Sequence, residues 1–206
     1  MKRFFRELSV LGALAAVLVG MAIFAPAFFS PQPLLSLLTR EAPTLVVACG
    51  MACVIITRQI DISVGSMFSV CSVCAGLLAA RGWPLLLVLP ASVALGALLG
   101  AVNGLLVAGL RLPSIVVTLA TMVTLRQGLN LVRQGEFVNL PDRIQWFSLS
   151  QMAGQLVLVG ASVVFLVALA LAMRHVAAGR FVYAVGTDAE AARLAGIRPQ
   201  LVTFLV

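Results

Sequence analysis

Long apolar stretches interrupted by short polar breaks set the pattern of this chain. A helix rises about 1.5 Å per residue, so about 20 apolar residues cross a hydrocarbon core about 30 Å thick. On that scale the pattern predicts a first span over about 8–29. Residues 42–80 are apolar except at Arg58-Gln59-Ile60-Asp61. One unbroken helix there would reach about 58 Å, so the polar break is read as a tight connection between spans at 42–57 and 63–80. Arg81-Gly82-Trp83-Pro84 forms the next break, with Trp suited to a membrane interface and Pro to a first helical turn. Spans at 84–109 and 113–132 follow, separated by Arg111-Leu112-Pro113. A polar loop containing Gln134, Glu136, Asn139, Asp142, Arg143 and Trp146 leads to a sixth span at 153–173. Residues 174–199 form the longest hydrophilic segment, and 201–206 begin a further apolar stretch. The expected fold is all-α: one polytopic membrane helix bundle over 1–206, with about six spans and the start of a seventh. A cleaved signal peptide competes for the first span, because Lys2, Arg3 and Arg6 precede it and Ala25-Pro26-Ala27 resembles a cleavage site. The uncleaved helix is the better reading, since the stretch is long enough to span and the rest of the chain is equally apolar.

Composition removes the soluble alternatives. Of 206 residues, 62% are hydrophobic and 10% charged, with a mean hydropathy of +1.12. Soluble domains hold about 45–50% apolar and about 25% charged residues, so the solvent of this chain is lipid. The net charge of +7 is too dispersed for a nucleic-acid face. Lys2 is the only lysine, which excludes a Walker A phosphate loop, and the single His175 excludes a histidine-rich metal site. Cys49, Cys53, Cys71 and Cys74 all fall in apolar stretches. The Cys71–Cys74 pair has redox spacing, yet no second ligand pair or basic neighbour supports redox or zinc chemistry. With a cytoplasmic N-terminus, nine of the basic residues (Lys2, Arg3, Arg6, Arg58, Arg111, Arg174, Arg180, Arg193 and Arg198) lie on the cytoplasmic side. Five (Arg40, Arg81, Arg126, Arg133 and Arg143) lie opposite, which favours that orientation.

Four features could carry function. Asp61 and Ser63 immediately precede an apolar helix, where an oxygen can cap free N–H groups; interrupted helices also mark transport pathways. Gly96, Gly100 and Gly104 share one helix face with Asn103 beside it, a pattern of close helix packing that directs the amide into the bundle. Ser114, Thr118 and Thr121 share a face on the next span, with Thr124, Arg126 and Asn130 further along, and such a polar stripe suits a bundle interior or a wet pathway. Finally, Thr187-Asp188-Ala189-Glu190 fits a capping box with Thr187 as N-cap. Gly186 then supplies a bend, Ala191 and Leu194 continue the helix, and Gly196 ends it before Pro199. Such a two-turn helix is too short to stand alone and needs a docking surface.

These segments resemble a known family. Arg58-Gln59-Ile60-Asp61-Ile62-Ser63-Val64-Gly65-Ser66 is similar to the GIDLSVGS signature of ribose-type sugar permeases of bacterial ATP-binding-cassette (ABC) importers. Asn103-Gly104-Leu105-Leu106-Val107, followed by Pro113-Ser114-Ile115-Val116-Val117-Thr118-Leu119-Ala120-Thr121, resembles the family's NGLLV and PSFIVTLAT run. The segments 179–186 and 190–197 resemble its cytoplasmic coupling loop. Gln59 replaces the usual Gly, and Thr187-Asp188 replaces Gly-Asn. The resemblance implies a permease subunit for monosaccharide uptake, ribose-like or rhamnose-like, embedded in the bacterial inner membrane. Its partners would be cytoplasmic ABC ATPase subunits, a periplasmic sugar-binding protein and a second permease subunit, identical or different. ATP and magnesium would belong to the ATPase, with no cofactor and no enzymatic activity in this chain. The pathway residues would be Asp61, Ser63, Asn103, Ser114, Thr118, Thr121 and Asn130; ATPase coupling would fall to Gly186, Thr187, Glu190, Ala191, Leu194 and Gly196 within the cytoplasmic loop 174–199. Family members carry more spans, so a chain truncated at its C-terminus is expected. An autoinducer-2 importer and a self-contained channel or secondary transporter are the alternatives.

Overall fold

The computed structural model describes residues 2–141 and 145–206, and all regular structure among them is helical. Helix α1 (Lys2–Phe24) ends in a short 3-10 turn, Pro26–Phe29. Helix α2 runs Pro31–Ile56, α3 Val64–Ala80, α4 Leu85–Gly104 and α5 Ser114–Arg133. A π-helical turn, Leu105–Gly109, extends α4. Helices α6 (Gln151–His175), α7 (Ala177–Thr187), α8 (Ala189–Leu194) and α9 (Pro199–Leu205) complete the chain.

Four helices, Pro31–Ile56, Leu85–Gly109, Ser114–Arg133 and Gln151–His175, are long and apolar enough to cross a membrane, and two shorter apolar helices accompany them. The order of the predicted spans therefore holds while two boundaries move. The second span begins at Pro31, eleven residues before the expected 42, because Ser30 and Pro31 start a helix that absorbs the polar residues Gln32, Ser36, Thr39, Arg40 and Glu41. Pro43 lies inside it. The hydrophilic segment 174–199 is also helical from Ala177, because its apolar positions fall on one face. The loop residues Asp142 and Arg143 lie outside the described residues.

Two packing units form. Helix α2 lies along α6, and α3 packs against both α4 and α5. Between α2 and α6, Gln155 is 2% exposed. Its side-chain oxygen accepts from the Gln32 amide at 3.1 Å, and its own amide donates to Ser36 Oγ at 3.2 Å. No polarity pattern in the sequence marked this clamp. Helix α7 joins the units by touching α2, α6 and α9, while α9 packs on α4 and the π turn. Outward, the helices present large apolar side chains such as Leu14, Leu86, Val93, Leu98 and Val164. Apolar side chains exposed in such number mark surfaces that meet lipid or further helices, not water.

Candidate functional site: a polar relay at two helix breaks

Helix α2 stops at Thr57 in a Schellman turn: the Arg58 N–H donates to Ile55 O at 2.9 Å and the Gln59 N–H to Val54 O at 3.1 Å. The residue in the left-handed position is Arg58, with φ of 60°. Glycine adopts that conformation freely, whereas another L-residue incurs about 1–2 kcal/mol. Gln59, which replaces the glycine of the resembled signature, is the next residue and does not take the left-handed conformation. The Arg58 side chain extends across the molecule, where Nη2 donates to Thr187 O at 2.8 Å.

The chain then crosses to α3 through Ile60 and Asp61, held by α5. Ser114 Oγ accepts the Ile60 N–H at 3.3 Å. The Thr118 hydroxyl donates to Ser114 O at 2.8 Å and to Ile60 O at 3.3 Å. The face shared by Ser114 and Thr118 thus satisfies the backbone of the break, whose amides have no helix of their own to bond.

Beyond Ile60 the side chains form a directed relay. The Thr121 hydroxyl donates to Asn103 Oδ1 at 2.7 Å, and the Asn103 amide donates to Ser63 Oγ at 3.0 Å. The Ser63 hydroxyl donates to Asp61 Oδ1 at 2.6 Å, and that same oxygen accepts the Ser63 N–H at 2.7 Å. Ser63 is 0% exposed and Asn103 is 6% exposed. Every bond points toward Asp61, so each donor polarises the next and the carboxyl is the final acceptor. The expected capping role of Asp61 needs correction. Ser63 is itself the N-cap of α3 and makes no side-chain cap bond, because its hydroxyl is committed to Asp61. Asp61 organises the N-cap residue and reaches no N–H within the helix.

A cavity of about 420 Å³ lies beside the relay, lined by Asp61, Asn103, Ser114 and Thr118 and by Thr203 and Phe204 of α9. Gly104 lets α9 approach: a Cβ there would stand 3.0 Å from the Phe204 ring and carbonyl oxygen. Asn130 does not join this group. Its amide reaches Gln127 at 3.5 Å, and it lines a separate cavity of about 410 Å³ with Arg126 and Ser66. It lies more than two turns along α5 from Thr121 and so reaches none of the relay atoms.

The other predicted group, around α8, is rearranged. Thr187 is the last residue of α7, and its hydroxyl donates to Tyr183 O at 2.9 Å. Asp188 caps α8 instead, Oδ1 accepting the N–H groups of Glu190 (2.9 Å) and Ala191 (3.0 Å). A carboxyl is the stronger acceptor at the positive end of a helix. Glu190 does not reach back to close a capping box but pairs with Arg193, Nε to Oε2 at 3.0 Å. Gly196, at φ +85°, ends α8 as expected: its N–H donates to Arg193 O and the Ile197 N–H to Ala192 O, each at 3.0 Å. Leu194 is 79% exposed, Ala191 is also exposed, and Ala192 is buried. Gly186 supplies no bend. It sits inside α7, buried, where a Cβ would overlap the Ile56 carbonyl oxygen. It is therefore a contact between α7 and α2 and is unavailable to a partner.

These assignments give a direct expectation. Asp188→Ala and Gly196→Ala each loosen α8 by about 1 kcal/mol, from loss of the cap and from the left-handed φ. Amide exchange over 189–195 then accelerates about fivefold. Thr187→Ala leaves it unchanged; acceleration there would restore the sequence-based cap.

The helix ends meet on one side of the molecule. A cavity of about 570 Å³ is lined by Thr57, Arg58, Arg111, Ser114, Ala189 and Gln200, among others. The breaks near 58 and 111 and the segment around 185–200 thus share one face.

Among proteins of known role, the chain is 35% identical over 206 residues to the autoinducer 2 import system permease protein LsrC of Enterobacter sp. (strain 638), covering 98% of this chain and 60% of that relative. It is 30% identical over 210 residues to the ribose import permease protein RbsC of Escherichia coli (strain K12), covering 100% of this chain and 65% of that relative. The chain thus spans less than two thirds of the length of these curated relatives. No solved structure matches it. Residues 34–206, which contain both helix breaks, the relay and α8, match the permease component of the branched-chain amino acid transport system, and the chain belongs to that family of multi-pass membrane permeases.

Proposed function

We propose that this chain acts within a permease subunit of an ABC importer, forming the inner-membrane pathway for a monosaccharide of ribose-like or rhamnose-like character. The observation that carries this reading is the relay beside the 420 Å³ cavity. A sugar hydroxyl both donates and accepts, and Asp61, Asn103, Ser114 and Thr118 offer both functions inside an otherwise apolar bundle. Ser63 and Thr121 hold that polarity in place, while Asn130 would serve a separate part of the route. A second reading, uptake of autoinducer 2, draws on relatives of that name at 30–36% identity. Uptake competition between labelled ribose and autoinducer 2 separates the two.

With no lysine beyond Lys2, this chain would take its energy from ATPase subunits that bind ATP and magnesium. A periplasmic binding protein would deliver the solute, and a second permease copy or homologue would complete the path. The N-terminus and residues 174–199 would be cytoplasmic, in line with the nine-to-five distribution of basic residues. Helix α8 offers Glu190, Ala191 and Leu194 outward from a six-residue rod that cannot persist without support. Its partner surface would be the ATPase, with Gly196, Thr187 and Gly186 shaping the approach from within.

Leu194→Asp in the full-length transporter, reconstituted with its ATPase and binding protein, is expected to lower ATP-driven uptake about tenfold, as loss of an exposed apolar anchor does at interfaces. Membrane insertion is unaffected. Normal uptake by this variant refutes the docking role. So does labelling of Leu194→Cys by an impermeant thiol reagent outside intact bacteria.

A further inference from the structure

We infer that Arg58 is a positioning residue that ties the α7–α8 joint to the α2–α3 break, so that a displacement of α8 arrives at the Asp61 relay. This deepens the importer reading and rests on it. Two contacts meet within two residues on each side. Gly186 brings the α7 backbone onto the Ile56 carbonyl, and the Arg58 guanidinium bonds the carbonyl of Thr187, next in the chain. Thr187 precedes Asp188, the cap of α8, while Arg58 lies three residues before Asp61. The tie therefore runs from the residue before the α8 cap to a residue three positions before the final acceptor of the relay.

The backbone supplies an independent observation. The Schellman position at the end of α2 favours glycine, yet it holds an arginine at φ 60°. Strain retained at a turn points to work done by the side chain. Here the guanidinium reaches the negative end of α7, where free carbonyls attract a cation. Arg111 is also left-handed, with φ 57°, at the equivalent break between α4 and α5, but among the described residues it is Arg58 whose side chain bonds the α7–α8 joint. The break itself is held to α5 through Ser114 and Thr118, so motion of Arg58 is transmitted and not absorbed.

Arg58→Gly separates this role from a merely structural one, because glycine relieves the backbone at φ 60° while removing the side chain. In the full-length transporter in lipid nanodiscs, the variant is expected to melt no lower than the parent. Amide exchange over 186–191 nevertheless rises about fivefold through loss of the tie. Solute carried per ATP hydrolysed falls about fivefold or more, the usual scale of coupling between sites. Arg58→Lys, which keeps a cation on a long stem, recovers part of that loss. Unchanged exchange in Arg58→Gly overturns the tie, and so does a loosened joint with unchanged uptake per ATP. Absence of ATP-dependent uptake by the parent protein would strike the importer reading instead, and the exchange measurement would still decide the tie.

Discussion

Alanine at Gly186 is expected to lower the stability of the folded bundle by about 3 kcal/mol, near the upper end of ordinary overpacking. The added Cβ falls on the Ile56 carbonyl oxygen. That atom belongs to a helix backbone, so no side-chain rotation can clear it. Helix α7 must lift from α2, and the bond from Arg58 to Thr187 opens with it. Gly100→Ala is the matched comparison, since a Cβ there meets nothing within 4 Å. It is expected to be neutral or to stabilise by about 0.5–1 kcal/mol, the ordinary gain for Gly→Ala in a helix. Thermal unfolding of both variants in nanodiscs gives the comparison directly. Equal midpoints would mean that α7 does not touch α2 in this way.

The second large effect lies at Asp61. Alanine there removes the acceptor for both the N–H and the hydroxyl of Ser63, a residue with no exposure to any solvent. Leaving such buried donors unmatched costs about 2–4 kcal/mol in total. The relay then loses its final acceptor, and Asn103 and Thr121 lose the orientation it imposed. Uptake is expected to fall with stability. Asp61→Asn keeps an oxygen at the same place and can turn its amide toward the cavity, so its folded state should be nearly as stable as the parent. Uptake by that variant isolates any contact of Asp61 with the solute. Full uptake assigns the residue to architecture, whereas strong loss in a stable protein assigns it to the pathway. Measuring both variants for melting and transport is decisive, and an Asp61→Ala protein as stable as the parent would show that the relay does not end there.

Much of the site could be read one helix at a time. The clustering of Ser114, Thr118 and Thr121 follows from helical periodicity; Ser114 and Thr118 turn to the neighbouring break, and Thr121 turns to Asn103 of α4. Asn103 turns inward, as an amide must when lipid surrounds its helix. Gly196 takes the left-handed turn that its position after a short helix requires. Asn130 lay on the same helix and carried the same polarity, but periodicity says nothing of how far a neighbour extends. The cap of α8 was misplaced by one residue because Thr187 and Asp188 are both good caps. The choice fell to Asp188 once α7 continued through Thr187 and used its hydroxyl internally.

Order along the chain was enough to establish its solvent, the succession of its apolar helices, the breaks near 58, 81 and 111 and the family to which it belongs, though not the start of α2 or the helix at Ala177. Those properties are local: hydropathy summed over a window, a proline or glycine at a turn, a motif read in order. The tertiary structure alone decided which breaks meet. The bonds that define the site join residues 18, 40 and 129 positions apart, and a one-dimensional pattern carries no such distances. It also decided that Gly186 is a contact, that Arg58 holds a strained turn, and that Gln155 is sealed between two helices. Each depends on how closely two backbones approach, which is fixed only when all the helices pack at once.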